Sequence, residues 1–193
     1  AVLLVACPCA LILATPTAMV AAIGGLARRG ILVRSGEILQ KAAKVDTVVF
    51  DKTGTITEGQ FEIVRILPID RGEDELLALT AAAECGSDHM LARVIVNEAQ
   101  RRGLRIPEPD HAHVIPGRGA EARFDGRTVR AGNAAYLAEH NVPPADALLE
   151  EADRLGATAV LVAEDSQLAG AILLRDRIRA GAREAIEELQ RME

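Results

Sequence analysis

An aspartate in the first third of the sequence stands where an α/β protein would place a reactive carboxylate. Asp51 follows a β-branched and aromatic run, residues 47–50, and begins the segment DKTGT, residues 51–55. The run predicts a buried strand, and open α/β sheets bind their ligands where a strand ends in a glycine-containing turn. A carboxylate is a weak nucleophile, so its reaction depends on positioning and on neutralisation of charge. The pattern favours Asp51, with Lys52 and Thr53, as a catalytic group over an ordinary turn residue.

Two cysteines near the amino terminus indicate a second kind of chemistry. Cys7 and Cys9 flank Pro8, inside an apolar segment. Proline breaks the helical hydrogen-bond pattern, and the break allows two side chains that would point to opposite sides to converge. Paired thiolates are soft ligands that suit Cu(I), Zn(II) and heavier ions. The alternative is that small cysteines only pack between helices; the CPC triplet favours a metal site.

The apolar segment that carries the cysteines is long enough to cross a membrane. Residues 1–27 contain no charged side chain, and Arg28 and Arg29 follow directly. A helix of roughly 20 residues spans the bilayer core, and a basic flank marks the cytoplasmic end. A signal peptide would need a basic region before the apolar run, and a buried helix of a soluble protein is the other alternative. We expect a transmembrane helix over residues 1–27, followed by a cytosolic stalk over residues 28–44.

Charge separates this end from the rest of the chain. The 193 residues have a net charge of −6, with 49% hydrophobic residues and three cysteines. Residues 1–44 hold five basic side chains and one acidic, a net of +4, which leaves −10 for residues 45–193. The acidic balance argues against a nucleic-acid partner, the apolar content against disorder, and three cysteines against a disulfide framework.

Shorter elements are predicted between residues 60 and 170. Alternating apolar residues predict strands, and wider apolar spacing predicts helices. The strands fall over residues 61–69, 120–124, 128–131, 158–163 and 168–174, and the helices over residues 73–85, 91–102, 134–139 and 144–155. This mixture is typical of an α+β domain. A last helix, over residues 180–192, is expected to pack on a sheet through Ala182, Ile186 and Leu189.

Both motifs resemble those of one family. DKTGT is similar to the phosphorylation motif of P-type ATPases, and CPC upstream of it resembles the mark of their heavy-metal-transporting branch. The resemblance implies an α/β fold class with the end of a transmembrane helix, a haloacid-dehalogenase-like phosphorylation domain and an inserted α+β nucleotide-binding domain. The implied ranges are residues 1–27, 28–44 and 45–59, the insertion over residues 60–170, and a truncated return segment over residues 171–193.

The resemblance also implies a reaction at Asp51. Its carboxylate would attack the γ-phosphate of ATP and become an aspartyl phosphate, with Mg²⁺ held by Asp51 and the Thr53 carbonyl. Related phosphatases resemble DxDxT, in which the second aspartate hydrolyses the phosphoenzyme. Thr53 stands at that position here. The acyl phosphate is therefore expected to persist, which suits a pump and disfavours a soluble phosphohydrolase.

Residues for the nucleotide are implied one by one. The positions that match the family's adenosine site are Glu84, His89, Gly117, Gly119 and Asn133. Met90 replaces the proline that follows the family's histidine. Asp176 and Arg179 resemble the hinge that returns to the phosphorylation domain, with a surface charge cluster as the alternative. The other histidines, His111, His113 and His140, lack a second half of any zinc ligand set, so we expect them in solvated loops.

Taken together, the resemblance implies ATP-driven export of a soft metal ion, with Cu(I) favoured. Zinc, cadmium or lead export by the same mechanism and a non-catalytic nucleotide-binding module are the alternatives. The implied location is a multi-pass membrane protein, plasma or inner membrane if bacterial, with residues 28–193 cytoplasmic. The implied partners are ATP, the metal ion, the lipid bilayer, and the actuator and further membrane segments of the same chain. A starting methionine is absent, so we expect the sequence to begin inside a longer chain.

Overall fold

The computed structural model describes the backbone of residues 9–192 and the side chains of residues 13–192. Cys7 and the Cys9 side chain lie outside the described residues, so the proposed CPC metal site stays a prediction. The chain divides into two compact units, one built mainly from residues up to Phe50 and the other from Asp51–Gln190.

The first unit is helical. It contains α1, Cys9–Ala27, with Pro16 inside it, and α2, Gly36–Ala42. In the part of the chain that the structure describes, we find no helix with both the length and the apolar character needed to cross a membrane. Residues 1–8 of the predicted span lie outside that part, and the span over residues 1–27 stays a prediction.

The predicted strand over residues 47–50 is wrong. These residues have no regular secondary structure, and Val49 is 89% exposed. A strand is stabilised by hydrogen bonds to a neighbouring strand, and an apolar run without such a partner remains irregular. No strand of the described residues pairs with this segment.

The second unit is built on a six-stranded antiparallel sheet. Its strands are β1, Thr57–Pro68; β2, His111–Ile115; β3, Gly119–Phe124; β4, Arg127–Gly132; β5, Thr158–Glu164; and β6, Gln167–Ile178. They lie in the order β1-β6-β5-β4-β3-β2. The first and last strands of the chain are therefore neighbours, with Thr57 opposite Ile178 and Pro68 opposite Gly170. The chain between β1 and β6 therefore begins and ends in neighbouring strands at one edge of the sheet.

Helices cover both faces of this sheet. They are α3, Glu73–Ala83; α4, Met90–Arg101; α5, Ala134–Ala138; and α6, Asp146–Arg154. Alternate residues of β6 divide between two apolar cores: Ile172 and Leu174 pack with α3 and α4, whereas Ala171 and Leu173 pack with α5 and α6. The alternation follows from the two-residue period of a strand. The sheet is thus the middle layer of three.

Most other elements match the sequence predictions, but two further expectations differ from the structure. The exposed His111 and His113 lie in β2, an edge strand, and not in a loop as expected. An edge strand can expose polar side chains, so its pattern carries little hydrophobic signal. The last helix, α7, Ala182–Arg191, has no buried residue and Leu189 is 41% exposed. The expectation that this helix packs on a sheet is therefore wrong.

Candidate functional site

The DKTGT segment forms a wide turn that leads into β1. Asp51 is exposed and extended, with φ −71° and ψ 139°, and precedes a turn over residues 52–56. Gly54 has φ +77°, a conformation that glycine adopts without strain. The Thr57 N–H donates to the Lys52 carbonyl and closes the turn. The arrangement presents the Asp51 carboxylate to solvent on a turn of fixed shape.

The Thr57 hydroxyl anchors this turn from below. Its oxygen accepts the Gly54 N–H at 3.2 Å and lies 3.0 Å from the Lys52 carbonyl oxygen and 2.5 Å from Asp176 Oδ2. Thr57 is 4% exposed and Asp176 is 7% exposed. The second carboxylate oxygen of Asp176 is also buried, and no described residue forms a hydrogen bond with it. Such an oxygen is costly to bury unless a further donor or cation reaches it.

Arg179 completes the attachment between the return strand and the turn. Its guanidinium donates to the carbonyls of Gly54 and Thr55, each at 3.2 Å, and to the Thr57 carbonyl at 3.4 Å. Its backbone N–H donates to the Ile56 carbonyl at 2.8 Å. The residues predicted to form a hinge are thus placed on the turn that begins at Asp51. Their predicted role in closing the site around nucleotide stays a prediction.

Thr57 is the residue that sequence reasoning missed. A threonine at the start of a strand is common, and its partner Asp176 is 119 positions away along the chain. No local pattern connects residues at that distance. The pairing of β1 with β6 brings Thr57 and Asp176 together, and the sequence alone does not show that pairing.

Glu84 and His89 lie in one short connection between α3 and α4. Glu84 ends α3 and is 8% exposed, and its burial raises the pKa of the carboxyl, an effect partly offset by a hydrogen bond with Ser87. His89 precedes α4, and its Nδ1 accepts the Leu91 N–H at 3.3 Å. A neutral imidazole with Nδ1 as acceptor carries its proton on Nε2. The connection therefore carries a buried carboxyl whose pKa is raised and an imidazole that offers an N–H donor.

Gly117, Gly119 and Asn133 form a second group at the ends of β2, β3 and β4. Asn133 Oδ1 accepts the Tyr136 N–H at 2.8 Å, and its Nδ2 donates to the Gly117 carbonyl at 3.2 Å. A Cβ at Gly119 would lie 2.1 Å from the Ala131 carbonyl oxygen. Gly119 and Asn133 thus each have a structural reason to be present. Helix α3 packs on β3 and β4, and this packing links the group to the end of α3.

One large groove lies away from these residues. A groove of 720 Å³ between α3 and residues 104–108 contains none of the predicted site residues. Within the described residues, no group of three or more His, Cys, Asp or Glu side chains is arranged to hold a metal ion.

Comparison with known proteins identifies the family. Residues 45–193 match the haloacid dehalogenase-like hydrolase family. The chain belongs to this family. The predicted fold class, an α/β fragment with a haloacid dehalogenase-like part and a nucleotide-binding domain, is confirmed.

The relatives of this haloacid dehalogenase-like chain are P-type ATPases. It is 40% identical to a probable copper-exporting P-type ATPase of Archaeoglobus fulgidus over 100% of this chain and 24% of that protein. It is 41% identical to the probable copper-exporting P-type ATPase V of Mycobacterium tuberculosis over 100% of this chain and 26% of that protein. The chain thus spans about a quarter of the length of these relatives.

Solved structures give the same result. A zinc-transporting PIB-type ATPase in its E2.Pi state superimposes with a TM-score of 0.77 at 39% identity, over 96% of this chain and 30% of that one. The N-domain of HMA8, a copper-transporting P-type ATPase, matches 57% of this chain and 97% of its own, with a TM-score of 0.51 at 28% identity. The predicted similarity to heavy-metal P-type ATPases is confirmed.

Proposed function

We propose that this chain is the phosphorylated and nucleotide-binding part of an ATP-driven exporter of a soft metal ion. The observation that carries the proposal is the attachment of Asp176 and Arg179 to the turn that begins at Asp51. An ordinary surface turn needs no buried carboxylate beneath it. The relatives named above, both probable copper-exporting P-type ATPases, support the same conclusion.

In the proposed reaction, Asp51 is the nucleophile. A carboxylate oxygen forms a bond to the γ-phosphorus of ATP, the bond from that phosphorus to the β,γ-bridging oxygen breaks, and ADP leaves with the electron pair. Lys52 and the Thr53 and Thr55 hydroxyls are placed along the same turn to neutralise and orient the phosphoryl oxygens. Thr53 supplies no carboxylate for rapid hydrolysis, so the aspartyl phosphate persists.

Magnesium fits the donors of this turn. An exposed carboxylate at Asp51 and the Thr53 carbonyl are hard oxygen ligands of the kind that Mg²⁺ prefers, and the ion keeps several positions for phosphate and water. When bound, it supplies neutralisation of phosphate charge. The turn then has to hold the Asp51 carboxylate in position for attack on the γ-phosphorus. The contacts of Thr57 and Arg179 with Gly54 support that position.

The cargo is proposed to be Cu(I), bound by the Cys7 and Cys9 thiolates. Soft sulfur ligands suit Cu(I), and the copper-exporting relatives support this choice. The zinc-transporting structure keeps zinc, cadmium or lead as the second candidate. A Cys7→Ser, Cys9→Ser double variant of the full-length protein should lose bound metal per molecule; unchanged metal stoichiometry would exclude the thiolate site.

The rest of the proposed assembly is a multi-pass membrane protein. Residues 28–193 would face the cytoplasm, with the lipid bilayer, an actuator segment and further membrane helices as partners. The relatives extend well beyond the range matched here, which leaves room for such segments.

The decisive test is phosphoenzyme formation in the full-length protein. ATP labelled at the γ-phosphate should transfer its label to the wild type in the presence of metal, and Asp51→Asn should abolish the transfer. Asp46→Asn is the matched control, because Asp46 is an exposed acid five residues upstream that the site does not use. Label retained by Asp51→Asn would refute the assignment. Nucleotide binding without any labelling would favour the alternative of a non-catalytic nucleotide-binding module.

A further inference from the structure

The proposed nucleotide turn carries one positive side chain, Arg118, between Gly117 and Gly119. Its backbone is fully engaged: the Arg118 N–H donates to the Ile115 carbonyl at 3.1 Å, and its carbonyl accepts the Asn133 N–H at 3.0 Å. The position of the Arg118 backbone is therefore fixed by β2 and by the start of α5. Only the long side chain is able to change its partner.

That side chain now binds an acid at the end of α5. Arg118 Nη1 donates to Glu139 Oε1 at 2.6 Å and to Oε2 at 2.5 Å, and the two side chains are 52% and 53% exposed. Exposed ion pairs contribute only about 0–1 kcal/mol, because water screens the charges and the side chains lose freedom. The Arg118 guanidinium can thus exchange Glu139 for another anion at a small cost in free energy.

Arg130 on β4 provides a contrast. Its guanidinium donates to Glu121 Oε2 at 3.0 Å and to the Asp165 carbonyl at 2.9 Å, and its side chain is only 14% exposed. Because two partners hold this largely buried arginine in the sheet, its guanidinium is not available to another anion. Arg118 is exposed, has one acidic partner, and lies in the turn itself.

We propose that Arg118 binds the phosphate groups of the nucleotide and that Glu139 competes with them for its guanidinium. Guanidinium groups bind phosphate oxygens through paired N–H donors, so Arg118 exchanges one paired anion for another when nucleotide enters. The turn glycines let the nucleotide approach the backbone closely, which brings phosphate within reach of the neighbouring side chain. The inference rests on the proposed function, and it adds a residue that selects charged nucleotides over the bare nucleoside.

The consequences for affinity differ between the two partners. Replacing Glu139 by glutamine frees the guanidinium, so binding of a non-hydrolysable ATP analogue should tighten about two- to fivefold, the range that an exposed ion pair corresponds to. Replacing Arg118 by glutamine removes a charge-assisted hydrogen bond and should weaken that binding about tenfold. Adenosine carries no phosphate, and its affinity should change less than twofold in both variants.

The test is calorimetric titration of the full-length protein with the ATP analogue and, separately, with adenosine. Arg118→Lys keeps the charge without the planar donor pair and should restore part of the lost affinity. The Arg118→Gln, Glu139→Gln double variant should match Arg118→Gln alone, because Glu139 acts only through Arg118. Glu62→Gln is the control, because Glu62 pairs with Arg175 at 3.5 Å in a similarly exposed ion pair. The affinity of this variant for the analogue and for adenosine should not change.

Three results would overturn the inference. The first is a Glu139→Gln variant that binds the analogue no more tightly than the wild type. The second is a loss of adenosine affinity equal to the loss of analogue affinity in Arg118→Gln, which indicates a structural role for the pair. The third is a double variant that still gains from Glu139→Gln. A wild type that binds neither ligand would instead refute the proposed function as well.

Discussion

At the scale of single residues, Thr57 determines how firmly the Asp51 turn is held. Replacing it by valine keeps the shape but removes the hydroxyl that contacts Gly54, Lys52 and Asp176. A buried carboxylate is then left without a partner on either oxygen, which costs about 1–3 kcal/mol. We expect the free energy of unfolding to fall by that amount in urea denaturation and phosphoenzyme formation to slow.

Two variants check this reasoning. Thr57→Ser keeps the hydroxyl and should retain most of the stability. Thr158→Val makes the same chemical change at an exposed position of β5 and should alter the free energy of unfolding by less than about 0.5 kcal/mol. Equal losses in Thr57→Val and Thr158→Val would contradict the anchoring role of Thr57.

Glu84 gives stability a dependence on pH. Burial raises its pKa above the ordinary glutamate value of 4.5, so the folded chain holds the proton more tightly than the unfolded chain does. The stability from this group is complete below the unfolded pKa and is lost as pH rises through the raised folded pKa. Glu84→Gln cannot ionise, so the free energy of unfolding of this variant should rise relative to that of the wild type as the pH increases above 4.5, measured by urea denaturation.

Glu98 supplies a control of opposite sign. Hydrogen bonds from Arg101 and Arg102 lower its pKa to about 2. Its contribution is therefore present above the unfolded pKa and is lost as pH falls through the folded value. Glu98→Gln should have a lower free energy of unfolding than the wild type at higher pH, by a modest amount because the Arg101 side chain is 73% exposed. A Glu84→Gln difference that is flat with pH would show that Glu84 is not desolvated.

At the scale of elements, the start of α4 tests the departure at Met90. Met90 is the first residue of the helix and is 45% exposed, and His89 before it has φ −64° and ψ 141°. Proline suits a first helical position, and it requires the preceding residue to be extended, as His89 is. Met90→Pro should therefore stabilise the chain by about 0.4–1 kcal/mol, measured as an increase in the free energy of unfolding.

The next residue provides the matched control. The Leu91 N–H donates to His89 Nδ1 at 3.3 Å, and Leu91→Pro removes that donor. This variant should be less stable than the wild type, while Met90→Pro is more stable. Destabilisation by both substitutions would mean that the backbone at Met90 is not the helical start that the structure shows.

The same scale shows which elements a sequence can predict. Strands β5 and β6 contain runs such as Val160–Val162 whose residues are buried on both faces, and such runs are strong signals. The run before Asp51 has the same composition but no strand beside it, so local composition alone overpredicts there. Strand β2 is the opposite case, because His111 and His113 face solvent at a sheet edge.

The candidate site likewise has features that the sequence predicts and features that it does not. DKTGT and the identities of Asp176 and Arg179 are visible in the sequence, because each follows a recognisable local pattern. Their contact is not visible, since it depends on β1 and β6 lying side by side. For Gly119, the sequence indicates only close approach of a nucleotide, whereas the 2.1 Å distance to the Ala131 carbonyl shows that the strands themselves require a glycine.

At the scale of the whole molecule, the segment of residues 57–178 has its own sheet and its own two cores. Its ends are Thr57 and Ile178, which lie opposite each other in paired strands. Because the two ends of this segment are adjacent in the fold, separating the segment from the longer chain should cost little conformational entropy. The buried residues of both cores all fall between these ends.

Residues 57–178 should therefore fold alone, with cooperative unfolding in urea that coincides by circular dichroism and by amide exchange. A shorter chain, residues 69–178, is the control: it lacks β1, leaves β6 as an unpaired edge and uncovers core residues such as Ile172 that pack beside Ile66. It should lose cooperative unfolding, because β1 closes both the sheet and the core over α3 and α4. Cooperative folding of the shorter chain, or its absence in residues 57–178, would contradict the view that the paired strands β1 and β6 define the boundary of this domain.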